Sequence, residues 1–452
     1  MQRLRSSLDA TIRPQGRVFY GWWMVAAGAG VQLIIGLFFN QAASVYNAVL
    51  RDEFGWSRTV ISAAFSVARF ESGILGPLQG WMIDRYGPRA VMISGLLLFS
   101  LGLMAFSQIQ NLPMFYATFL MMAVGSSLGG FLAITVALVS WFSSHRAKAL
   151  AISQSGFAVG GLLIVVLVFA IEQLGWRTTA FLSGVVVLVT AVPMAMLIRH
   201  RPEAYGETAD GILHNTRADA APEEHTRAHD QAVNPDGSED FTARQAMRTR
   251  AFWLISLGHA SALLIVSAVQ VHLVLHLNEN LGYSLTQASL VLSLMTGMQM
   301  AGQVSGGFLG DRFNKRVIVV GCMASHAVGL LLLAYAQGYP MLIAFAVLHG
   351  WAWGTRGPLM QAIRADYFGS AAFGTVMGFS SLIILIGMVL GPIIAGLSFD
   401  LTGDYRAGFV VLAVVAALGS LVFLVSTRPD PPPRLAALSP DGEGAEWEAV
   451  RG

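Results

Sequence analysis

The chain has 452 residues, 55% of them apolar and only 12% charged, with a mean hydropathy of +0.60. That balance excludes an ordinary soluble domain and makes lipid the main solvent of the chain. The net charge of +2 decides little by itself, while a single cysteine, Cys322 in an apolar stretch, excludes a disulfide framework or a cysteine metal cluster.

Residues 1–19 form a polar, Arg-rich tail. The apolar stretch after it is too long for a signal-peptide core and has no obvious cleavage site, so it is expected to remain as the first span. Apolar windows of about 20 residues predict twelve spans. Six lie near 20–47, 58–82, 90–107, 112–140, 147–171 and 177–198. Six more lie near 251–277, 285–309, 317–336, 339–363, 373–398 and 406–427. Between the two sets, Arg201 to Arg250 is rich in Ala, Asp, Glu, His and Arg without apolar periodicity, which predicts a linker with a disordered middle. The fold class expected is an all-α membrane protein: one six-helix bundle over 20–200, the linker over 201–250 and a second bundle over 251–428. The tail over 429–452 opens with Pro-Asp-Pro-Pro-Pro and turns acidic, a composition that predicts disorder.

Basic residues set the orientation. Of 28 Lys and Arg, 22 fall on the side of the N-terminus, which includes the linker and the C-terminal tail. Only Arg51, Arg58, Arg177 and Arg406 fall on the other side. Both termini and the linker are therefore expected to be cytoplasmic, in a multi-pass protein of an inner or plasma membrane. The two remaining arginines, Arg69 and Arg356, lie inside spans.

One short sequence occurs twice. Gly80-Trp-Met-Ile-Asp84-Arg85-Tyr-Gly87-Pro-Arg89 returns as Gly307-Phe-Leu-Gly-Asp311-Arg312-Phe-Asn314-Lys-Arg316, every matched pair 227 residues apart. Asn314 replaces Gly87, and Asn is the residue after Gly that best tolerates a left-handed turn. A charged turn repeated at half the chain length indicates a duplicated membrane protein. Two halves that can rock against each other imply transport.

These features together resemble the major facilitator superfamily along nearly the whole chain. The Gly-x-x-x-Asp-Arg-x-Gly-x-Arg turn after the second span is that superfamily's best-known motif, and a weaker copy is expected after the eighth. Within it, the chain is most similar to the monocarboxylate and oxalate/formate branch. The residues that carry this are Tyr20-Gly21-Trp22-Trp23, Trp141-Phe142 with Arg146-Ala-Lys-Ala149, Gly156-x-x-x-Gly160, Gly175-Trp176-Arg177 with Phe181, and Asp366-Tyr367-Phe368-Gly369 before Gly374-x-x-x-Gly378. Branch members often carry a basic residue at three places that here hold Asn40, Gln303 and Ser380. The resemblance implies that the repeated turns clasp the halves on the cytoplasmic side while the carrier faces outward. Gly80, Asp84, Arg85, Gly87, Arg89, Asp311, Arg312 and Arg316 are then gate residues; the plainer alternative is that the arginines only set topology.

Charges inside spans are costly, about 2.5–3.5 kcal/mol each on insertion scales. Of 26 acidic residues only Glu71 falls at the centre of a span. Arg69, two residues away, points to a different face of the helix and shares a stripe with Gly73, Gly76 and Gly80. On the tenth span His349, Trp353 and Arg356 share one face. The resemblance puts that span on a central cavity, where a cation, an imidazole and an aromatic surface would suit an anion with an apolar body. Asn40, Gln270, Gln299, Gln303 and Ser380 are further substrate candidates, beside Arg69, and Glu71 and His349 are candidate proton carriers. Structural roles for Arg69 and Arg356, such as pairing with Glu71, and interhelical hydrogen bonding for the amides remain alternatives.

The function expected is a secondary carrier moving a small organic anion, a monocarboxylate above all, by proton symport or anion exchange. Efflux of amphipathic compounds is an alternative, suggested by 26 Phe, 19 Met and 10 Trp with few polar anchors. Gly125-Ser-Ser127-Leu-Gly129 matches a serine-hydrolase pattern but falls within a helix instead of a strand-to-helix elbow. No catalytic, metal, cofactor or nucleotide motif stands out, so the expected partners are the substrate and lipid, with no nucleic acid, around a monomer. Reporter fusions after Arg250 and Arg434 should read cytoplasmic and fusions near Glu279 external. An external signal from the 201–250 linker would overturn the twelve-span topology.

Overall fold

In a bilayer every backbone N–H and C=O must find its partner within the protein, so each apolar run closes into a helix. The computed structural model describes residues 18–211 and 240–430. The two tails and the middle of the linker lie outside the described residues, as do the side chains of Arg69 and Asn47.

The N-terminal half has six helical spans. Helix α1 runs from Tyr20–Ile35 through a π-helical stretch, Gly36–Gln41, into Ala42–Phe54. Helices α2 (Arg58–Tyr86) and α3 (Pro88–Phe106) follow. Helix α4 comprises Leu112–Gly129 and Phe131–Trp141, and α5 comprises Arg146–Leu162 and Ile164–Leu174. Helix α6 joins Trp176–Val186, a π-helical Val187–Ala191 and Val192–Met196. A short helix, Ala243–Arg248, closed by a Thr242–Gln245 capping box, leads into the second half. There α7 (Arg250–Leu275, then His276–Asn280), α8 (Leu285–Arg312), α9 (Lys315–Ala334), α10 (Tyr339–Phe368), α11 (Phe373–Thr402) and α12 (Arg406–Val425) complete the set. No strand occurs among the described residues.

Nine of these spans are long and apolar enough to cross a membrane by length and composition alone. The other three, α2, α8 and α10, are long enough but more polar. They carry the repeated turns, Gln299 and Gln303, and the buried arginines of α10. Polar content is therefore concentrated where the helices meet one another.

Glycine sets how closely those helices meet. In the first half Gly156 and Gly160 of α5 face the Ala29 and Leu33 carbonyls of α1 so closely that a methyl group would collide with either. Between the halves, Gly76 and Gly80 of α2 press on Gly378 and Gly374 of α11. The second inter-half seam sets Gly307 and Gly310 of α8 against α5 at Ala147 and Ala151. The two seams are counterparts, since Gly80 and Gly307 are 227 residues apart, as are Ala147 and Gly374. Both lie toward the basic side of the bundle, where the repeated turns are. The glycine stripe of α2 is thus a packing surface against α11.

A glycine in a seam and a glycine in open space predict opposite responses to a side chain. Gly156→Leu should lower thermal stability in detergent by about 1–3 kcal/mol through overpacking. Gly321→Ala, with nothing within 4 Å of its new methyl, should be neutral or stabilising by up to about 1 kcal/mol through helix propensity. Thermal unfolding followed by light scattering separates the two.

Candidate functional site

A helix that begins without a side-chain cap leaves backbone N–H groups seeking an acceptor. Helices α5 and α11 both begin so, at His145 and Ala372. Their acceptors come from the opposite half. Asp84, at the end of α2, accepts from Gly374 N (3.0 Å), Thr375 N (2.7 Å) and Thr375 Oγ1 (2.6 Å) at the start of α11. Asp311, at the end of α8, accepts from Ala147 N (2.9 Å) and Lys148 N (3.3 Å) at the start of α5, with Lys148 Nζ 3.8 Å away. Donor and acceptor in one clasp are each 227 residues from their counterparts in the other. A third link lacks a counterpart: Arg146 of α5 donates to Asp366 of α10 (2.6 Å), whose other oxygen takes Lys315 Nζ (2.7 Å).

The remaining gate candidates take supporting places. Gly80 lets α2 approach α11, and Gly87 turns the chain at φ 82° between α2 and α3. Arg85 lies over the Trp81 and Tyr86 rings, and Arg312 over Phe313. Arg89 is exposed beside a surface hollow lined also by His200 and Tyr205. Arg316 donates to Ser426 O at the end of α12 (3.2 Å). Asn314 departs from expectation. Its φ is −62°, not left-handed, and its side chain caps α9 by accepting from Arg316 N. Asn was placed there for its capping oxygen, so the same slot in the repeat is filled for two different physical reasons.

The linker contributes through both described ends. Asp210 accepts from Ser143 Oγ, Ser144 N and His145 Nδ1 in the loop before α5. Asp240 accepts from Ser370 N and Ala371 N in the matching loop before α11. Burial would raise the Asp210 carboxyl, but hydrogen bonds from His145, Ser144 and Ser143 outweigh it and hold it at about 2. At Asp240 burial prevails, and the carboxyl is raised despite Ala371 and Ser370.

Inside the second half, α10 carries two fully buried guanidinium groups. Arg356 is 1% exposed, and its Nε and Nη1 have no hydrogen-bond partner. His349, one face-repeat earlier, is equally buried and meets His326 of α9 through Nδ1···Nδ1 at 3.1 Å. Cys322 of α9 and His259 of α7 lie within electrostatic range of Arg356. Arg364 was counted on the basic side by sequence. It is instead 1% exposed, donating to Met360 O, His259 Nδ1 and Ser380 Oγ, with Ser380 Oγ 2.9 Å from Ser256 Oγ. The predicted span stopped one residue short of it, whereas α10 continues to Phe368. At Ser380, where the resemblance would put a lysine, positive charge arrives from a different helix. Among the described residues neither arginine pairs with a carboxylate.

The other candidates scatter. Glu71 has both carboxylate oxygens buried without a partner, and no ion pair joins it to Arg356. Gln303 of α8 reaches Gln154 of α5 across the halves at 3.5 Å. Trp353 and Gln299 are half-buried, and Asn40 and Gln270 exposed. The Gly125–Gly129 run lies in α4, with both glycines against the backbone of α3. Sequence reasoning missed Arg364, His326, Gln154 and the two linker aspartates. No group of three or more metal-ligating side chains occurs among the described residues.

The family model of the major facilitator superfamily matches residues 28–275 and 255–451. Monocarboxylate transporter 12 of Rattus norvegicus is 24% identical over 418 residues, covering 89% of this chain and 85% of its own length. The gentisate transporter of Corynebacterium glutamicum is 25% identical over 422 residues, covering 91% and 87%. Among solved structures, the human organic anion transporter MFSD10 superposes with a TM-score of 0.64 at 16% identity, over 89% of this chain and 99% of that one. The chain belongs to the major facilitator superfamily: it is a membrane transporter and not an enzyme.

Proposed function

We propose that this transporter carries a small organic anion, a monocarboxylate above all, by alternating access across an inner or plasma membrane, with its basic side in the cytoplasm. One observation carries this reading: α10 buries two guanidinium groups, neither of them beside a carboxylate, and Arg356 has donors to spare. A buried, unpaired cation costs several kcal/mol. An anion arriving from outside the protein offsets that cost, and a planar carboxylate matches the guanidinium fork. Arg364 is held by three hydrogen bonds and supports the field, while Arg356 receives the anion. The complete burial of the site suits a small substrate. The monocarboxylate and gentisate transporters among the relatives are named for substrates of this class.

Alternating access follows from the two clasps. Both join the halves on the basic side, so this conformation is closed to the cytoplasm. Opening there requires Asp84 and Asp311 to release the starts of α11 and α5 and Arg146 to release Asp366. Hydrogen bonds to a charged group contribute about 1.5–3 kcal/mol each, enough to hold one state without locking it.

Asp84→Asn should cut initial uptake rates about tenfold or more with expression unchanged, because it weakens the outward-facing state and not the fold. Asp311→Asn should be milder. Uptake by Asp84→Asn at the parent's rate would remove the gating role. For the anion site, Arg356→Lys keeps the charge but loses the fork, so apparent affinity for labelled carboxylates should fall about tenfold while the protein stays folded. Arg356→Gln should abolish uptake, and saturating substrate should raise the melting temperature of the parent but not of this variant. Normal uptake by Arg356→Gln would rule out the site.

A further inference from the structure

A hydrogen bond between two Nδ1 atoms constrains both rings of the His326–His349 pair. One ring must carry Nδ1–H, which leaves its Nε2 a bare acceptor, and the other must accept at Nδ1 and carry its proton on Nε2. Both Nε2 atoms are buried without a partner, both residues are 0% exposed, and the ring centroids are 4.5 Å apart. A proton added to the bare Nε2 makes an imidazolium whose Nδ1–H still points at its neighbour. The pair can therefore change charge without breaking the bond that joins α9 to α10. Few interhelical contacts have that property: most buried hydrogen bonds fix one protonation state.

The surroundings decide when the proton enters. On α10 the nearest charge is Arg356, seven residues from His349 on the same face and within electrostatic range of both histidines. Cys322, one turn before His326 on α9, and His259 of α7 lie within electrostatic range of Arg356. Arg364 lies two turns beyond Arg356. The titratable side chains of α8, α11 and α12 are confined to the helix ends, at Asp311, Arg312, Asp400 and Arg406. The pair thus faces one strong field, and that field is positive.

We propose that the His326–His349 pair is the proton-binding site of the carrier, loaded together with the anion held by Arg356. This rests on the anion-carrier reading above and selects proton symport over exchange as the physiological mode. With Arg356 uncovered, its charge repels a proton from the pair. A bound carboxylate cancels that charge, and one proton then adds to the bare Nε2. The empty site carries +1 from Arg356. The loaded site carries the guanidinium, the anion and one imidazolium, again +1. Loaded and empty carriers therefore cross the membrane with equal charge, whereas a site holding only the anion or only the proton does not. On release the proton leaves Nε2 for water on the far side and the pair returns to its neutral tautomers. Interhelical glue alone would need neither the free Nε2 atoms nor the adjacent arginine.

The test uses the full chain in proteoliposomes with labelled lactate, benzoate and gentisate. The parent should exchange at least one of them and accumulate it about tenfold per unit of pH gradient, as one proton per anion requires. His326→Gln keeps a hydrogen-bonding side chain but cannot take the proton. Its accumulation should fall to a ratio of one and the pH dependence of its uptake should flatten. Gradient-driven accumulation by His326→Gln at the parent's level overturns the pair. Should that variant fold poorly, the parent labelled with 15N-histidine answers instead: saturating anion should produce one imidazolium signal in the solid-state NMR spectrum. Its absence also overturns the pair. Exchange of none of the three anions by the parent overturns the carrier reading beneath it.

Discussion

The two halves are held by helix starts that cannot satisfy themselves. Uncapped N–H groups at α5 and α11 meet Asp311 and Asp84, each delivered from the other half by the end of a helix. The glycine seams follow from this need, since α2 and α8 must come close enough for a short carboxylate to reach backbone. The loops before α5 and α11 must also be held, and the linker ends do so through Asp210 and Asp240. Clasps, glycine seams and linker contacts all serve one unsatisfied set of donors.

Farther from the basic side each half tolerates the opposite condition. Arg356 keeps donors that nothing fills, and Glu71 keeps acceptors that nothing fills. A folded protein accepts such costs where function returns them. Arg364 illustrates the contrast within a single helix: with His259 and Ser380 as neighbours it is satisfied and ties α7, α10 and α11 together. Satisfied and unsatisfied cations two turns apart divide α10 into a fastened segment and one whose donors are unfilled.

Much of this was legible in the chain. Hydropathy found the spans, the 227-residue repeat found the halves, and spacing put His349 and Arg356 on one face. What spacing cannot supply is the helix that such a face meets. His326 was invisible because nothing in the sequence relates α9 to α10. Arg364 was missed because the predicted span stopped where Arg364 and Asp366 bring charges close together, whereas a helix ends where its backbone loses partners. Asn314 matched Gly87 in position but not in conformation, since one residue type can serve a turn by its backbone or by its side chain. Asp210 and Asp240 escaped because a carboxylate that caps a loop has no periodicity.

The clasps also explain which part of the ancient duplication can still be read. Asp84 and Asp311 bind main-chain N–H groups, which every residue except proline provides. The donating positions therefore need not match in side chain, and they hold Ala147-Lys148 in one half and Gly374-Thr375 in the other. The accepting positions need a short carboxylate, and both hold Asp. The internal repeat is therefore plain in the turns that accept and faint in the helix starts that donate.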